Sequence, residues 1–349
     1  MDNKGITKEV EAEAVSAFQT TKYQSKSRVK TVLITGITGQ AASYLSELLL
    51  EKGYTVWGLI RHSTAPILER TKHVPNAVHL IDGDLLDSSS LTRALRTAKP
   101  DEIYNTAAHS FVGTSWDLPE ITCLTTGMGV LHLLEAVRKE CPESRVWHSC
   151  SSEEFGNRLP YGRYNENDHF HPESPYAVAK TFAHHLCHVY RTSHKMFVAC
   201  SISFNFESPR RGDQFLTRKV TKAVARIKHG DERPLVLGNL EARRDWIHAM
   251  DAMRAAWLTV QAKKPSDYVI ASGQSHSVAE FCAAAFAHVG LNWEDYVQTS
   301  PDFIRPSDVG YLCGDATKAK IILKWEPVVT FEDIVKEMVD YDMRLLEQK

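Results

Sequence analysis

Short apolar runs alternate with helical patterns along most of the chain. Runs typical of buried parallel strands lie at 31–35, 55–60, 78–81, 102–105, 145–149 and 197–203. Helical spacing of apolar residues follows at 43–52, 90–98, 122–139 and 175–193. This alternation predicts an α/β fold in which a doubly wound, Rossmann-type parallel sheet is covered by helices on both faces.

The alternation becomes irregular after about residue 206. Helices are predicted there at 218–229, 250–262, 278–289 and 331–346. The chain therefore divides into a polar tail at 1–28, a dinucleotide-binding domain at 29–205 and a smaller α+β substrate domain, which accounts for most of 206–349. The apolar segment near 268–271 is also suited to return to the large sheet.

Composition and charge exclude several classes of protein. The 349 residues carry 41 basic and 43 acidic side chains, a net charge of −2, which argues against a nucleic-acid binder. No run of 18 apolar residues exists, and the first residues lack the apolar core of a signal peptide. We therefore expect a cytoplasmic protein that neither spans nor binds a membrane.

Metal and disulfide frameworks are not expected from the spacing of possible ligands. The seven cysteines are scattered and form no C-x-x-C pair, which favours free thiols over a disulfide or zinc framework. His184 and His188 lie one helical turn apart, but no H-E-x-x-H pattern accompanies them. The prediction is that the protein has no metal site.

A glycine-rich segment follows the first predicted strand and opens the first helix. Residues 36–42 read G-I-T-G-Q-A-A, in which Gly36, Thr38, Gly39, Gln40 and Ala41 are candidates for cofactor binding. Glycines at such a turn let backbone N–H groups approach a pyrophosphate at the helix N-terminus. The alternative is an ordinary strand-to-helix turn, but its place near the start of the alternating pattern favours a dinucleotide site.

The end of the second strand indicates which dinucleotide would bind. It reads Leu59-Ile60-Arg61-His62 and has no carboxylate for the ribose hydroxyls of NAD, whereas an arginine suits the 2′-phosphate of NADP. NADP is therefore favoured over NAD, unless Arg61 is only a solvated surface charge. Asp84, after the third strand, is a candidate for the adenine amine or for the cap of the next helix.

Candidate catalytic residues lie on the fifth strand and the helix after it. Tyr176 and Lys180 are one helical turn apart, and an ammonium beside a phenol stabilises the phenolate as a proton acceptor. The alternative is a pair on the helix surface. However, Ser151 and Glu153 follow the preceding strand, and the carboxyl ends of parallel strands border the ligand crevice.

These motifs together resemble the extended short-chain dehydrogenases/reductases, and within that group the GDP-mannose 4,6-dehydratase family. The resemblance covers about residues 30–346. Its more specific segments are F-N-F-E-S-P-R-R-G at 204–212 and L-G-N-L at 237–240, with R-R-D-W at 243–246 and R-P-S-D at 305–308. It implies an NADP-dependent enzyme that converts a GDP-sugar, hexose or heptose, to its 4-keto-6-deoxy form.

The resemblance also implies a role for each candidate catalytic residue. Tyr176 takes the proton of the sugar 4-hydroxyl, while Lys180 supports it and Ser151 hydrogen-bonds to the C4 oxygen. Glu153 removes the C5 proton and protonates the departing C6 hydroxyl, which requires one carboxyl group that both accepts and donates a proton.

Further binding residues are expected only through this resemblance. Those assigned to the cofactor are Leu85, Ala107, Ala108, Ser110, Lys180 and Arg211. Those assigned to the GDP-sugar are Ser115, Ser152, Asn205, Lys219, Leu237, Asn239, Arg244, Arg305 and Asp308. The three arginines offer planar forks suited to a diphosphate. A homodimer through a four-helix bundle, or a homotetramer, is also implied.

The chain departs from the family pattern at several positions. Ala41 and Ala42 replace Asp-Gly, His62 replaces an arginine, and the segment at 61–78 is short, so a tetramer is not assured. Glu154 replaces an apolar residue and is expected either to repel Glu153 or to point to solvent. The alternatives to a dehydratase are a GDP-sugar 4-oxidase, epimerase or reductase, or a non-catalytic nucleotide-binding protein.

Overall fold

The computed structural model describes residues 28–62, 72–159, 161–304 and 306–348. The predicted tail lies outside these residues except for Arg28, and so does the predicted ligand residue Arg305. Among the described residues, no helix has the length and apolar character needed to cross a lipid bilayer.

A seven-stranded parallel sheet forms the centre of the fold, with the strand order β3-β2-β1-β4-β5-β6-β11. Its strands are β1 (Thr31–Thr35), β2 (Thr55–Ile60), β3 (His79–Asp82), β4 (Glu102–Asn105), β5 (Arg145–Ser151), β6 (Val198–Ser203) and β11 (Asp267–Ile270). The chain winds outward from β1 in one direction and from β4 in the other. The boundary between β1 and β4 is the point where ligands bind in such sheets. The predicted doubly wound fold is confirmed.

Helices cover both faces of this sheet and build the smaller region. Their bounds are α1 (Gln40–Glu51), α2 (Ser88–Ala98), α3 (Val112–Asp117), α4 (Pro119–Cys123), α5 (Gly129–Glu140), α6 (Pro175–Ser193), α7 (Leu216–Lys228), α8 (Ala249–Gln261), α9 (Val278–His288) and α10 (Phe331–Glu347). The helix predicted at 122–139 is divided by a π-helical turn at Leu124–Met128. A Cβ at Gly127 in this turn would lie 3.0 Å from the Phe182 ring, so the turn packs closely on α6.

Two apolar layers lie on opposite faces of the sheet. Leu33 belongs to the layer beneath α2, α5 and α6, whereas its neighbours Val32 and Ile34 belong to the layer beneath α1 and α8. All three side chains are fully buried. Both faces of β1 are therefore covered, which explains why this strand is apolar at consecutive positions rather than at alternate ones.

A third apolar cluster lies in the smaller region, between α7, α9 and α10. Short two-stranded pairs complete it: β7 (Asn205–Glu207) with β10 (Trp246–His248), β9 (Arg243–Arg244) with β12 (His276–Ser277), and β8 (Leu235–Leu237) with β13 (Val297–Thr299). β11 leaves this region and pairs with β6 at the edge of the large sheet, where the segment near 268–271 was expected.

Candidate active site

A cavity of about 480 Å³ lies between the carboxyl edge of the large sheet and the smaller region. It brings together most of the residues that the sequence singled out. Those on its wall are Thr38, Gly39, Gln40, Ala41, Ala108, Ser110, Ser151, Ser152, Glu153, Tyr176, Lys180, Asn205, Arg211, Leu237, Asn239, Arg244 and Asp308. One space is therefore bordered by the glycine turn (the glycine-rich segment 36–42), by the candidate catalytic residues, and by Arg211 and Arg244.

Tyr176 lies in the first turn of α6 and on the cavity wall. Ser174 caps this helix by accepting a hydrogen bond from the Ala177 backbone N–H at 3.1 Å. Lys180, one turn further, donates from Nζ to the Ser149 carbonyl at 2.6 Å and lies 5.9 Å from the centroid of the Tyr176 ring. Both residues are buried, so the ammonium is held beside the phenol rather than in solvent.

Ser151 and Glu153 lie where β5 ends and a short 3₁₀ turn, Ser152–Phe155, begins. Ser151 Oγ accepts a hydrogen bond from the Glu153 backbone N–H at 3.3 Å. Ser151 is 9% exposed and Glu153 is half-buried, with both on the cavity wall. The strand end therefore brings a hydroxyl and a carboxyl to the space bordered by Tyr176.

Glu154 faces the protein interior, so its expected alternative of pointing to solvent is wrong. Its side chain is fully buried, and its carboxylate accepts from the Ser151 backbone N–H and from His184 Nδ1, both at 2.8 Å. Glu154 therefore ties the turn that carries Glu153 to the helix that carries Tyr176.

The N-terminus of α1 borders the other end of the cavity. Gly36 has a φ of +70°, and a Cβ there would lie 2.8 Å from the Ala107 Cα. Gly39 is the N-cap residue and has no side chain to bond the first-turn N–H groups. The turn is thus a backbone cradle at a helix N-terminus, which fits the pyrophosphate of a dinucleotide.

Several predicted residues lie away from the cavity wall. Arg61 and His62 directly follow β2, and Gly36 and Ala107 pack against each other behind the wall. Leu85 is buried beside α5, Ser115 donates to the Val112 carbonyl at 2.6 Å, and Lys219 lies on α7 near the Phe303 ring. None of these seven residues lines the described cavity.

Asp84 does not line the cavity either. Its hydrogen bonds test one of the two roles considered for it, which were a contact to the adenine amine and the cap of the next helix. Its Oδ1 accepts a hydrogen bond from the Leu86 N–H at 2.9 Å. The residue that caps α2 is Asp87, which accepts from the Ser89 N–H at 2.9 Å. The helix-cap alternative for Asp84 is therefore wrong.

Two arginines bring positive charge to the half of the cavity formed by the smaller region. The Arg211 guanidinium lies 3.6 Å from the Phe215 ring centroid, and its Nε is 3.2 Å from Glu207 Oε2. Burial raises the pKa of Glu207, against the opposing effect of Arg211. Arg244 donates to its neighbour's carbonyl and lies 3.7 Å from Asp308.

Sequence reasoning missed the aromatic part of the wall. Phe111 and Phe215, 104 positions apart, meet edge to face at 5.2 Å and join the large-sheet region to the smaller one. Phe206, Trp246 and Phe303 line the same half of the cavity. No local pattern distinguishes these rings from core residues, because their roles depend on how the two regions approach each other.

His184 and His188, the histidine pair considered for a metal, face different surroundings. His184 is buried between Glu154 and Asp267, whereas His188 is exposed. They do not form a two-histidine site.

Comparison with protein families gives a match over most of the chain. Residues 33–338 match the family described as GDP-mannose 4,6 dehydratase. GDP-mannose 4,6 dehydratase 1 of Arabidopsis thaliana is 46% identical over 332 residues, which cover 92% of this chain and 91% of that protein. The human GDP-mannose 4,6 dehydratase is 41% identical over 341 residues, covering 90% of this chain and 91% of that protein.

Solved structures with the same fold are more distant in sequence. A UDP-glucose 4-epimerase from Thermotoga maritima, solved with UDP-glucose, superposes with a TM-score of 0.81 at 23% identity, covering 90% of this chain and 99% of that one. A dTDP-glucose 4,6-dehydratase from Bacillus anthracis, in complex with NAD, has a TM-score of 0.80 at 21% identity, covering 91% and 98%. At these identities the likeness concerns the fold.

Proposed function

The chain belongs to the GDP-mannose 4,6-dehydratase family, and on that basis we propose that it eliminates water from a GDP-sugar to give a 4-keto-6-deoxy sugar nucleotide. The observation that carries the proposal is the meeting of Ser151, Glu153, Tyr176 and Lys180 on one wall of one cavity. That wall also includes the glycine turn at Thr38–Ala41, which suits a dinucleotide.

The proposed chemistry divides proton transfer between a phenol and a carboxyl group. The Tyr176 oxygen takes the proton of the sugar 4-hydroxyl, and the Lys180 ammonium stabilises the phenolate that accepts it. Ser151 Oγ hydrogen-bonds to the oxygen that becomes the 4-ketone. A bound nicotinamide would supply the hydride acceptor at C4 and the hydride donor at C6.

Glu153 completes the elimination. Once C4 is a ketone, the C5 proton is acidic, and the Glu153 carboxylate removes it. The same carboxyl then donates this proton to the departing C6 hydroxyl, which leaves as water, so that the residue returns to its starting form. When a bound nicotinamide would return hydride to C6, C5 would take up the proton that Tyr176 received from the 4-hydroxyl, so that the phenol is also restored. A half-buried carboxyl at the end of β5 suits this double role because it reaches the cavity without being fully solvated.

For the dinucleotide we propose NADP rather than NAD. Two structural neighbours are described in complex with NAD and NADPH respectively, so a nicotinamide cofactor is common to this fold. Here Arg61 and His62 follow β2, the strand beside the glycine turn, and residues 59–62 include no carboxylate. The guanidinium at that strand end suits a 2′-phosphate.

For the GDP-sugar we propose the half of the cavity that the smaller region forms. Arg244 suits the diphosphate because a carbonyl and the Asp308 carboxylate hold its guanidinium. Arg211, assigned above to the cofactor, is held against the Phe215 ring on the same side of the cavity, where it also suits this diphosphate. Asn205, Leu237 and Asn239 complete this wall. We also propose Ser115 and Lys219 as sugar-nucleotide contacts, which requires that substrate binding draws them toward the cavity.

Mass spectrometry of the reaction tests the proposal. Purified protein with NADP and GDP-mannose should give a product lighter by one water, and a panel of GDP- and UDP-sugars would identify the preferred substrate. Tyr176→Phe should reduce turnover by about 10²-fold or more, because the proton acceptor is lost. Tyr161→Phe is the matched control, since its phenol is exposed and away from the cavity.

The variant Glu153→Gln separates the dehydratase from the other reactions considered. It should still reduce the nicotinamide, seen as absorbance at the reduced-nicotinamide band, but release no water. A wild-type product that keeps its water would indicate an oxidase, epimerase or reductase and overturn the dehydratase proposal. Full activity of Tyr176→Phe would reject the proposed proton acceptor.

We also propose a homodimer through a face formed by α4, α6 and the π-helical turn. Leu118, Ile121, Leu124, Val178, Phe182 and Val189 are exposed on this α4–α6 face. Apolar side chains grouped on neighbouring helices are typical of an interface between subunits.

A further inference from the structure

Four charged side chains form a line from the turn that carries Glu153 to the edge of the large sheet, and the proposed reaction uses none of them. Glu154 belongs to that turn, His184 and Arg191 lie on α6, and Asp267 is the first residue of β11. The Glu154 and His184 side chains are buried, and those of Arg191 and Asp267 are largely buried. Charged side chains are rarely buried unless they are paired, so the order in which these four contact one another matters.

Each ring nitrogen of His184 faces a carboxylate. Nδ1 lies 2.8 Å from Glu154 Oε2, and Nε2 lies 3.4 Å from Asp267 Oδ2. An ionised carboxylate only accepts hydrogen bonds, and a neutral imidazole has a single N–H to donate. A neutral ring would therefore turn the lone pair of one nitrogen toward a negative oxygen. The imidazolium form, with a proton on each nitrogen, satisfies both contacts.

Further donors stabilise the ionised form of the two carboxylates. The second oxygen of Glu154 accepts a hydrogen bond from the Ser151 backbone N–H at 2.8 Å. Asp267 accepts two hydrogen bonds from the Arg191 guanidinium, one of them at 3.0 Å. Burial opposes the ionisation of Asp267, but His184 and Arg191 outweigh it and hold the pKa of this carboxyl well below its usual range. The charges of the four side chains therefore alternate in sign and sum to zero.

The electrostatic balance at His184 agrees with this geometry. Burial lowers the pKa of an imidazole, but the charges and hydrogen bonds of Glu154 and Asp267 outweigh it and raise the pKa of His184 well above its ordinary value. By contrast, burial and the charges of Lys180 and His184 lower the pKa of His148, on β5, well below that value. One of these two buried imidazoles is therefore charged and the other is neutral. The other side chains near the His184 ring are the Cys150 and Cys200 thiols and the Phe170 and His185 rings.

We propose that His184 is a protonated positioning residue that acts through Glu154 and holds the turn carrying Glu153 in place against α6. The inference deepens the proposed dehydration, and its catalytic part rests on that function. Glu154 stands where the related family has an apolar residue, so this contact is a feature of this chain rather than of the family pattern. The imidazolium also compensates the charge of Glu154, which would otherwise repel the carboxylate one position earlier.

The turn needs such a contact because it lies beyond the end of the strand. Ser151 is paired in the sheet with Ser203 on β6, whereas Glu153 belongs to the turn that follows. One oxygen of Glu154 bonds the Ser151 N–H and the other bonds His184, so a single carboxylate joins the strand end, the turn and α6. Removing that carboxylate therefore frees the acid–base group while β5 stays in place.

Glu154→Leu should slow the elimination more than the first hydride transfer. The bond from Lys180 to the Ser149 carbonyl remains, so Tyr176 keeps its supporting ammonium. A misplaced acid–base group costs up to about 10²-fold in rate, and the loss should appear in kcat. Reduced nicotinamide should therefore accumulate during turnover, whereas the affinities for NADPH and for GDP, measured by titration, should not change.

A double variant separates positioning from the cost of a buried charge. His184→Leu leaves the Glu154 carboxylate buried without its cation and should destabilise the protein strongly. Adding Glu154→Leu removes that charge and should restore much of the stability, seen as a recovered urea midpoint. The double variant should still show slow elimination, because the turn is not held.

Nitrogen NMR of the full chain tests the charge of His184 without reference to activity. With nitrogen-15 histidine, one ring should carry a proton on both nitrogens from about pH 6 to 9, although an ordinary histidine titrates at about pH 6.5. His184→Gln should lack this signal. A wild-type chain in which no ring stays doubly protonated above about pH 8 would overturn the proposal, even if every variant fails to fold.

Hydrogen exchange tests the contact between Glu154 and the Ser151 amide. Glu154→Leu removes the acceptor, so peptides that contain this amide should exchange faster than in the wild type. Glu102→Leu is the matched control, because its carboxyl is equally buried but lies at the opposite end of the sheet, bonded to Lys30 and Tyr104. It should leave both that exchange and the level of reduced nicotinamide unchanged.

The results distinguish this inference from the proposed function. A wild-type protein that releases no water from any GDP-sugar would reject the dehydration, while NMR and hydrogen exchange would still decide whether His184 is charged and holds the turn. A folded Glu154→Leu variant with full turnover and no accumulation of reduced nicotinamide would overturn the positioning role.

Discussion

At the residue scale, Gly36 and Gly53 share a backbone conformation but differ in their surroundings. Their φ angles are +70° and +79°, in the left-handed region that costs an L side chain about 1–2 kcal/mol. A Cβ at Gly36 would meet the Ala107 backbone at 2.8 Å, whereas a Cβ at Gly53 would meet nothing within 4 Å. Alanine substitutions at these two glycines therefore distinguish the cost of backbone strain, present at both, from the cost of steric contact, present only at Gly36.

Gly36→Ala should therefore destabilise the protein more than Gly53→Ala does. Chemical denaturation should give a loss of about 1–2 kcal/mol for Gly53→Ala, from backbone strain alone, and a larger loss for Gly36→Ala. Fluorescence titration with NADPH should show weaker binding only for Gly36→Ala, since Ala107 would be pushed from the turn. Equal effects of the two variants on both measurements would contradict this account.

Sequence spacing brings candidate residues together where they lie close along the chain. The glycine turn and the Tyr176–Lys180 pair follow from spacing within one turn of chain, and the structure brings both to the cavity. The partner of Glu154 is His184, 30 positions away on another element, so sequence spacing did not indicate this contact, and the alternative of solvent exposure was wrong. Asp87, not Asp84, caps α2. Both residues lie near the start of the helix, and the sequence alone does not show which of them is the cap.

At the scale of elements, one face of α6 carries a series of polar contacts to the sheet. Lys180 bonds the Ser149 carbonyl, His184 bonds Glu154, and Arg191 bonds the Val198 carbonyl and Asp267. These residues recur at intervals of about one or two helical turns and therefore share a face. The helix that presents Tyr176 is thus anchored by polar groups as well as by apolar packing.

A contact between α6 and α5 contributes to the stability of the folded protein in a way that depends on pH at acid values. Tyr190 donates to Glu135 at 2.6 Å, and Arg138 donates to the same carboxylate at 2.9 Å. Hydrogen bonds from Arg138 and Tyr190 lower the pKa of Glu135 from 4.5 to about 2. Because the folded-state pKa is the lower one, this contribution is present above about pH 4.5 and is lost as the pH falls toward 2.

Glu135→Gln should therefore flatten the fall in stability between about pH 4.5 and 2. Urea denaturation midpoints of the wild type and the variant, measured across this range, provide the test. Tyr190→Phe, which removes one of the two donors, should give an intermediate slope. Parallel curves for all three proteins would show that this contact does not contribute to acid unfolding.

Element boundaries were predictable to the extent that apolar periodicity determines them. The strands at 55–60 and 102–105 and the helix at 175–193 match the structure, since each is bounded by a clear change of pattern. The π-helical turn inside 122–139 was missed, because the Phe182 ring that it packs against lies on another helix and leaves no mark in the local apolar pattern.

At the scale of the whole molecule, the two regions are joined through α1. Arg210 donates to Ser43 at 3.1 Å and to Glu47 at 2.7 Å, and Gln40 bonds both the Phe206 carbonyl and Ser208. The helix at the glycine turn is therefore linked directly to the region proposed to bind the sugar nucleotide.

The proposed subunit interface gives a prediction for the assembly. Phe182→Glu places a charge on the α4–α6 face and should convert the dimer to a monomer, seen as a halved mass by light scattering. Ile321→Glu, at an exposed apolar residue outside that face, should leave the mass unchanged. A wild-type protein that is monomeric at micromolar concentration would reject the interface.

The late arrival of β11 affects the order in which the protein can fold during synthesis. Its four residues complete the sheet beside β6, yet they are made more than 60 positions after that strand. A nascent chain that has just left the ribosome with β6 formed would present an unpaired strand edge, the kind of surface on which chains aggregate. Chaperone protection during translation of the intervening segment should therefore raise the yield of folded protein.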